Sequence, residues 1–411
     1  MKPKLKSAFA GILMIINIAA LPVRGAEADA IAISNTIRQR HMPNGTIIDP
    51  IFASRTSNEI VSYTRGGDSA TWTGHYLAAE AFRYKVTASA DALANVWAAL
   101  RGIRSLRVVT GTDLLARCLV PTDWAFASSI THEEAGHGIY NGMVDGHSYS
   151  WVGHTSRDQY TGVFFGLGVA YDMVEDTAVR AFIQTEVTAL LAFLLNNNWA
   201  VVMPDHSVST IFWGRPDQQL SFLQVGRRVN PEQFESPYVS YRAQYAATVI
   251  TPIAFECLDD YGSYFKFNLD EANLYNLIRL EDTPKNRKRY MKAYKVLRRA
   301  LDSHRNAYFN MIDRGLKEPD SQRDAETRSL LEDWLKRPRR DVWVDNRLKY
   351  FPCGSSRACT AIAVADRVTT DFIWQRNPFD LVGGGGGTIE SAGIDYLLPY
   401  WMARYYGVLS N

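Results

Sequence analysis

Ala90-Asp-Ala-Leu-Ala-Asn-Val-Trp-Ala-Ala-Leu-Arg-Gly-Ile-Arg-Ser-Leu-Arg-Val-Val109 is the stretch whose reading decides the fold class. Its apolar residues Leu93, Val96, Trp97, Leu100, Ile103 and Leu106 recur at helical spacing, so one helix gathers them on a single stripe. Gly111 stands just past the stripe, where a helix commonly ends in the left-handed conformation. The same spacing returns in Ala178–Asn197 through Val179, Phe182, Ile183, Val187, Leu190, Leu191 and Leu194. Further out it predicts helices over 71–87, 159–175, 217–227, 239–257, 270–281, 285–305 and 324–336. Short loops join 71–87 to 90–109, 159–175 to 178–197, and 270–281 to 285–305, which makes each pair an antiparallel hairpin. Strand-like segments are few and lie near the C-terminus, Val368–Trp374 among them, so the expectation is an all-α chain.

A chain of 411 residues, 46% apolar and 21% charged, is neither disordered nor fibrous and can bury a large core without metals or disulfides. It opens on Met1-Lys-Pro-Lys-Leu-Lys6, then an apolar run from Ala8 to Val23, then small residues with exits after Gly25 and Ala28. That order is the pattern of a secretory signal peptide, and the run is too short to span a bilayer. Residues 1–28 are therefore expected to be removed, leaving residues 29–411 as one periplasmic or secreted domain with no membrane span. Removal turns the formal charge from +2 to about −1, so global charge gives no case for nucleic acid. The basic run Lys285–Arg299 carries Tyr290, Tyr294 and Leu297 at helical spacing and reads as a solvated helix face. Cys353 and Cys359 bracket a turn-rich loop that a disulfide can close in an oxidising compartment, while Cys118 and Cys257 read as buried thiols within helices.

Two hairpin openings echo each other. Ser69-Ala-Thr-Trp-Thr-Gly74 and Ser156-Arg-Asp-Gln-Tyr-Thr-Gly162 both run from Ser through an aromatic-Thr-Gly step into a helix of small and aromatic residues. The stretch Asp68-Ser-Ala-Thr-Trp-Thr-Gly-His-Tyr-Leu-Ala-Ala-Glu-Ala-Phe-Arg-Tyr84 resembles the opening hairpin of the six-hairpin, (α/α)6-toroid carbohydrate-active enzymes. The resemblance implies a toroid-like array of hairpins whose inner-helix N-terminal loops form a sugar-binding cleft. Beyond it lies a loop-rich segment, 337–394, with the run Gly383–Gly387 read as a flexible loop, and then an aromatic helix over 395–407.

If the two hairpins share a mouth, Asp68 and Asp158 become two carboxylates across a cleft, the minimum for glycoside hydrolysis. Either can instead cap its own helix, as can Ser69 or Ser156. A helix N-terminus favours the ionised carboxylate, so a cap Asp suits the base better than the acid. Trp72, Tyr76, Trp151 and Tyr160 are candidate stacking platforms, and His75, His154 and Arg157 candidate polar contacts for hydroxyls or a uronate. A lyase would need a base and a charge neutraliser, for which Tyr160, His154 and Arg157 are available. Glu80 is either a buried acid or a partner for Arg83 or Arg117. His132-Glu-Glu-Ala-Gly-His137 lacks zincin spacing, and the loop 132–147 reads as a surface loop, with lining the cleft or binding a cation such as calcium as the alternatives. No cofactor or metal is expected. The expected partner is a polysaccharide or oligosaccharide, cleaved by a glycoside hydrolase, with a polysaccharide lyase or a non-catalytic glycan-binding or envelope protein as the alternatives.

Overall fold

The computed structural model describes residues 24–258, 264–354 and 357–410. Among them lie fourteen α-helices: α1 (Arg24–Thr36), α2 (Ser69–Thr87), α3 (Ala90–Val108), α4 (Ala127–Glu133), α5 (Arg157–Met173), α6 (Thr177–Asn196), α7 (Pro216–Val229), α8 (Pro231–Tyr245), α9 (Ile250–Glu256), α10 (Phe265–Arg279), α11 (Pro284–Leu301), α12 (Ala307–Leu316), α13 (Ser321–Trp334) and α14 (Ile394–Tyr405). Nine strands accompany them: β1 (Asp49–Phe52), β2 (Ile60–Thr64), β3 (Cys118–Pro121), β4 (Ile139–Val144), β5 (His147–Val152), β6 (Ala200–Val202), β7 (Val208–Ile211), β8 (Arg340–Asp345) and β9 (Val382–Glu390).

Helix α2 packs on α5, α5 on α7, α7 on α10, α10 on α12, α12 on α14, and α14 returns to α2, so six helices close a ring. Each of α3, α6, α8, α11 and α13 packs outside the ring helix that precedes it, and α1 covers α14. Ring helices run parallel where contacts report direction: Thr71 and Gly74 of α2 meet Gly162 and Gly166 of α5, Phe222 and Val225 of α7 meet Phe164 and Gly168 of α5, and across the ring Asn273, Asn276 and Arg279 of α10 bond Thr161, Phe164 and Gly168 of α5, each in ascending order. The ring helices therefore start at a common end. The strands occupy connections that lead into those starts: β1 and β2 before α2, β3 to β5 before α5, β6 and β7 before α7, β8 and β9 before α14.

These strands overturn the all-α expectation. They form three antiparallel sheets, ordered β2-β1-β9-β8, β3-β5-β4 and β6-β7, and the protein is of mixed α and β structure. The strands are short and little alternating, so periodicity does not betray them. The glycine run is the clearest case, being part of β9 and not a flexible loop. A Cβ at Gly384 would lie 2.2 Å from the Val342 carbonyl oxygen, and one at Gly385 1.9 Å from the Asp341 carboxylate, so β8 and β9 pair only over bare backbone. Val368–Trp374 forms no strand, 239–257 divides between α8 and α9, Cys118 lies on β3, and Cys257 caps α9. Just beyond the predicted helix over 285–305, Asn306 caps the start of α12, accepting from the Tyr308 N–H at 3.0 Å.

Glycine also sets the closest ring contact. A Cβ on Gly74 would sit 2.0 Å from the Gly162 carbonyl oxygen, and one on Gly166 would sit 2.2 Å from that of Gly74. The echoed Thr-Gly steps are thus where α2 and α5 meet backbone to backbone. Below that contact, Glu80 is fully buried and meets both expectations raised for it. Arg83 donates to it at 3.0 Å and Asn95 at 3.2 Å, while burial still holds its carboxyl above the usual range. Helix α6 is long and apolar enough to cross a membrane, yet Val179, Ile183, Val187, Leu190, Leu191 and Leu194 are buried in the core.

The expected leader falls on residues 1–28, of which 1–23 lie outside the described residues. Helix α1 begins at Arg24, and its core-packing side chains, Ala30 and Ile33, follow both expected cleavage points. Cys353 and Cys359 are joined in a disulfide.

Candidate active site

One face of α2 and the turn before it carries Asp68, Trp72 and His75, spaced so that they lie one above another along the ring interior. At the open end of this face is a polar cavity of about 440 Å³, lined by Asp68, Trp72, Asp49, Arg65, Arg117 and Glu134, with Asp371 and Phe372 from the segment between β8 and β9. Trp72 forms its aromatic wall with Phe372, their ring centroids 4.8 Å apart and nearly perpendicular.

Asp68 occupies the N-cap position of α2, but its carboxylate makes no capping hydrogen bond. It accepts instead from Gln159 Nε2 at 3.4 Å, while Gln159 Oε1 accepts from the Thr71 N–H. Burial and then the negative charge of Asp158 raise the Asp68 pKa to about 6, against the opposing pull of Arg117 and Gln159. The field of the helix terminus, which favours an ionised carboxylate, is outweighed. Asp68 is therefore suited to acid chemistry, the reverse of the role expected of a cap residue. Asp371 goes the other way: although burial opposes its charge, Arg376 and Thr370 hold its carboxyl below the usual range. Two carboxyl groups of one cavity are thus pushed apart in acidity, a recurrent mark of acid–base pairs.

The loop that presents Asp68 is held by two carboxylates from the end of α4. Glu133 accepts from the Thr64 hydroxyl at 2.5 Å and the Arg65 N–H at 3.0 Å, and Glu134 accepts from the Gly67 N–H at 2.7 Å and His137 Nδ1 at 2.7 Å. Arg65 sits at φ 62°, a strained region for a residue with a side chain, and its guanidinium bonds Asp49 at 2.9 Å. Glu134→Ala leaves the Gly67 N–H without its acceptor and is expected to cost about 1–3 kcal/mol. By misplacing Asp68 it should also lower turnover about 10- to 100-fold; Glu134→Gln, which keeps an acceptor, should cost less on both counts. Thermal melting and kcat measured side by side check this.

The remaining sequence candidates lie elsewhere. His75 is fully buried beneath Trp72, its Nδ1 donating to the Thr71 carbonyl at 2.8 Å and its Nε2 accepting from Asn268. Burial lowers its pKa to about 4, so it is neutral and structural. Tyr76 and Tyr160 are fully buried, the Tyr160 hydroxyl accepting from the Leu115 N–H. Trp151 is buried on β5, stacked on Tyr140 at 4.5 Å. None of these three can present a face to a sugar. His154 is exposed at φ 44°, and its carbonyl accepts from Arg117. Arg157 and Asp158 are half-buried at the start of α5, outside the cavity lining. Among the described residues, no three His, Cys, Asp or Glu side chains converge to hold a metal ion.

Sequence reasoning missed Asp49, Arg65 and Asp371, because they reach the cavity from β1, the turn before α2 and the β8–β9 connection. The only local signal was the density of charge at 133–137, read as surface. Comparison with protein families, with curated proteins and with solved structures finds no match to this chain.

Proposed function

We propose that the protein is an exported glycoside hydrolase whose general acid is Asp68. The observation that carries this reading is a partly buried carboxyl with a pKa of about 6 set against an aromatic wall, sharing its cavity with an ionised carboxylate. Asp68 gives its proton to the glycosidic oxygen as the bond to the anomeric carbon breaks. Asp371 takes a proton from the attacking water, and Asp158 keeps Asp68 protonated through its charge. Trp72 and Phe372, 5% and 4% exposed, close the apolar side of the cavity. The lyase alternative loses one of its three candidate groups, since Tyr160 is sealed in the core. The leader pattern and the Cys353–Cys359 disulfide support an oxidising destination outside the cytoplasm.

The test is release of reducing ends from a panel of neutral and uronate polysaccharides, followed against pH. The acid must be protonated to act, so kcat/KM should fall as pH rises through about 6. Asp158→Asn should move that fall to lower pH, since it removes a charge that holds the proton on Asp68. Release of an unsaturated uronate, seen by ultraviolet absorbance, would replace hydrolysis with elimination. Binding without any bond cleavage would leave a glycan-binding protein.

A further inference from the structure

A second cavity, of about 580 Å³, lies beside the start of α7, between the β6–β7 hairpin and the end of α8. Its walls are aromatic and polar but uncharged: Trp213, Tyr241 and Tyr245 face Asn198, Gln219 and Thr248. Trp213 is 55% exposed and Tyr245 39%, unusual for large aromatic side chains on a protein that buries most of its others. Trp213 is not loose. Its indole N–H donates to the Asn198 carbonyl at 2.7 Å, which fixes the ring's orientation. Beneath it the Trp199 indole donates to the Tyr241 hydroxyl at 2.6 Å. Asn198 and Trp199 both hold positive φ, 50° and 62°, a strained pair that the fold maintains at this spot. Gln219 is more than nine-tenths buried and lines the cavity, its backbone N–H bonded to the Arg215 carbonyl at 3.0 Å.

We infer that this cavity is a second sugar-binding site, one that holds a neutral pyranose of a longer glycan chain. The ring stacks on Trp213, and its hydroxyls bond the Gln219 amide and Asn198. The absence of any charged lining group excludes a uronate or an amino sugar as the preferred unit. An oriented indole with one free face suits the apolar side of a pyranose, and the neighbouring amides suit its equatorial hydroxyls. The site opens at the same end of the ring as the Asp68 cavity. The pairings Phe164–Phe222 and Gly168–Val225 show α7 running parallel to α5, so its start lies with theirs. The choice of a sugar as ligand rests on the hydrolase reading of the Asp68 cavity.

The experiment is calorimetric titration of the full-length protein with cellohexaose, xylohexaose and mannohexaose, using Asp68→Asn, Trp213→Ala with Asp68→Asn, and Trp213→Phe with Asp68→Asn. At least one hexasaccharide should bind Asp68→Asn. Trp213→Ala should weaken that binding tenfold or more, while Trp213→Phe, which keeps a stacking face, should stay within threefold. With Asp68 restored, Trp213→Ala should leave cleavage of a short aryl glycoside unchanged and raise KM on the long chain. Unchanged affinity in Trp213→Ala, or no binding of any of the three, overturns the proposal. Trp213-dependent binding in a wild-type protein that cleaves nothing would uphold the site and remove the hydrolase reading instead. Cleavage without Trp213 dependence would do the opposite.

Discussion

Asp68→Asn is expected to abolish turnover and, above pH 6, to make the protein more stable. Loss of a general acid costs about 10²- to 10⁴-fold in rate. The stability effect follows from the same proton. The Asp68 pKa is raised from 3.8 to about 6 in the folded state, so the native protein holds this proton more tightly than the unfolded chain does. Below the unfolded value both states are protonated and the shift costs nothing. As pH rises from about 4 to 6 the cost grows, and above 6 it is fully present, about 3 kcal/mol by linkage. Asn cannot ionise and escapes it. Urea midpoints of the two proteins should therefore coincide near pH 4 and separate at pH 8, with Asp68→Asn the higher. A carboxylate kept for structure would give the reverse order, because its loss would destabilise the protein at neutral pH.

The second large effect is structural. Gly74→Ala should cost about 3 kcal/mol or more, because the added methyl would lie 2.0 Å from the Gly162 carbonyl oxygen and 2.4 Å from its carbon. Those atoms are backbone within α5, so nothing can swing aside and the two helices must part. Gly162→Ala meets Thr71 in the same way, with the backbone Cα at 2.6 Å. Gly136, whose added Cβ would meet nothing within 4 Å, supplies the control: Gly136→Ala should stay within about 0.5 kcal/mol. Chemical denaturation of the three variants checks the order. Because the α2–α5 contact also sets where Gln159 meets Asp68, residual folded Gly74→Ala should lose activity as well.

The helices were legible in the sequence because each buries a stripe at its own period: Val96, Leu100, Ile103 and Leu106 of α3 are all fully buried. The sheets were not, since β3 and β6 span only four and three residues and β9 is mostly glycine. At the site, Asp68 and Trp72 were legible because both stand at one helix start. His75, Tyr76, Trp151 and Tyr160 carry the right chemistry at the right spacing yet face the core, and a sequence does not reveal which side of a ring helix is packed. Asp49 and Asp371 are separated from Asp68 by long stretches of chain or by a strand crossing, so only tertiary pairing brings them in.

That crossing has a consequence for how the molecule comes into being. Strand β9 joins β1 through Ile51 and Ile389, and α14 completes the circle against α2, so elements far apart in the sequence adjoin. Without β9 and α14 in place, β1 has an unpaired edge and the helices form an open arc. Such distant pairings are slow to form, and they leave the ring unclosed until β9 and α14 dock. The cavity around Asp68 is likewise incomplete until Asp371 and Phe372 reach it from the β8–β9 connection.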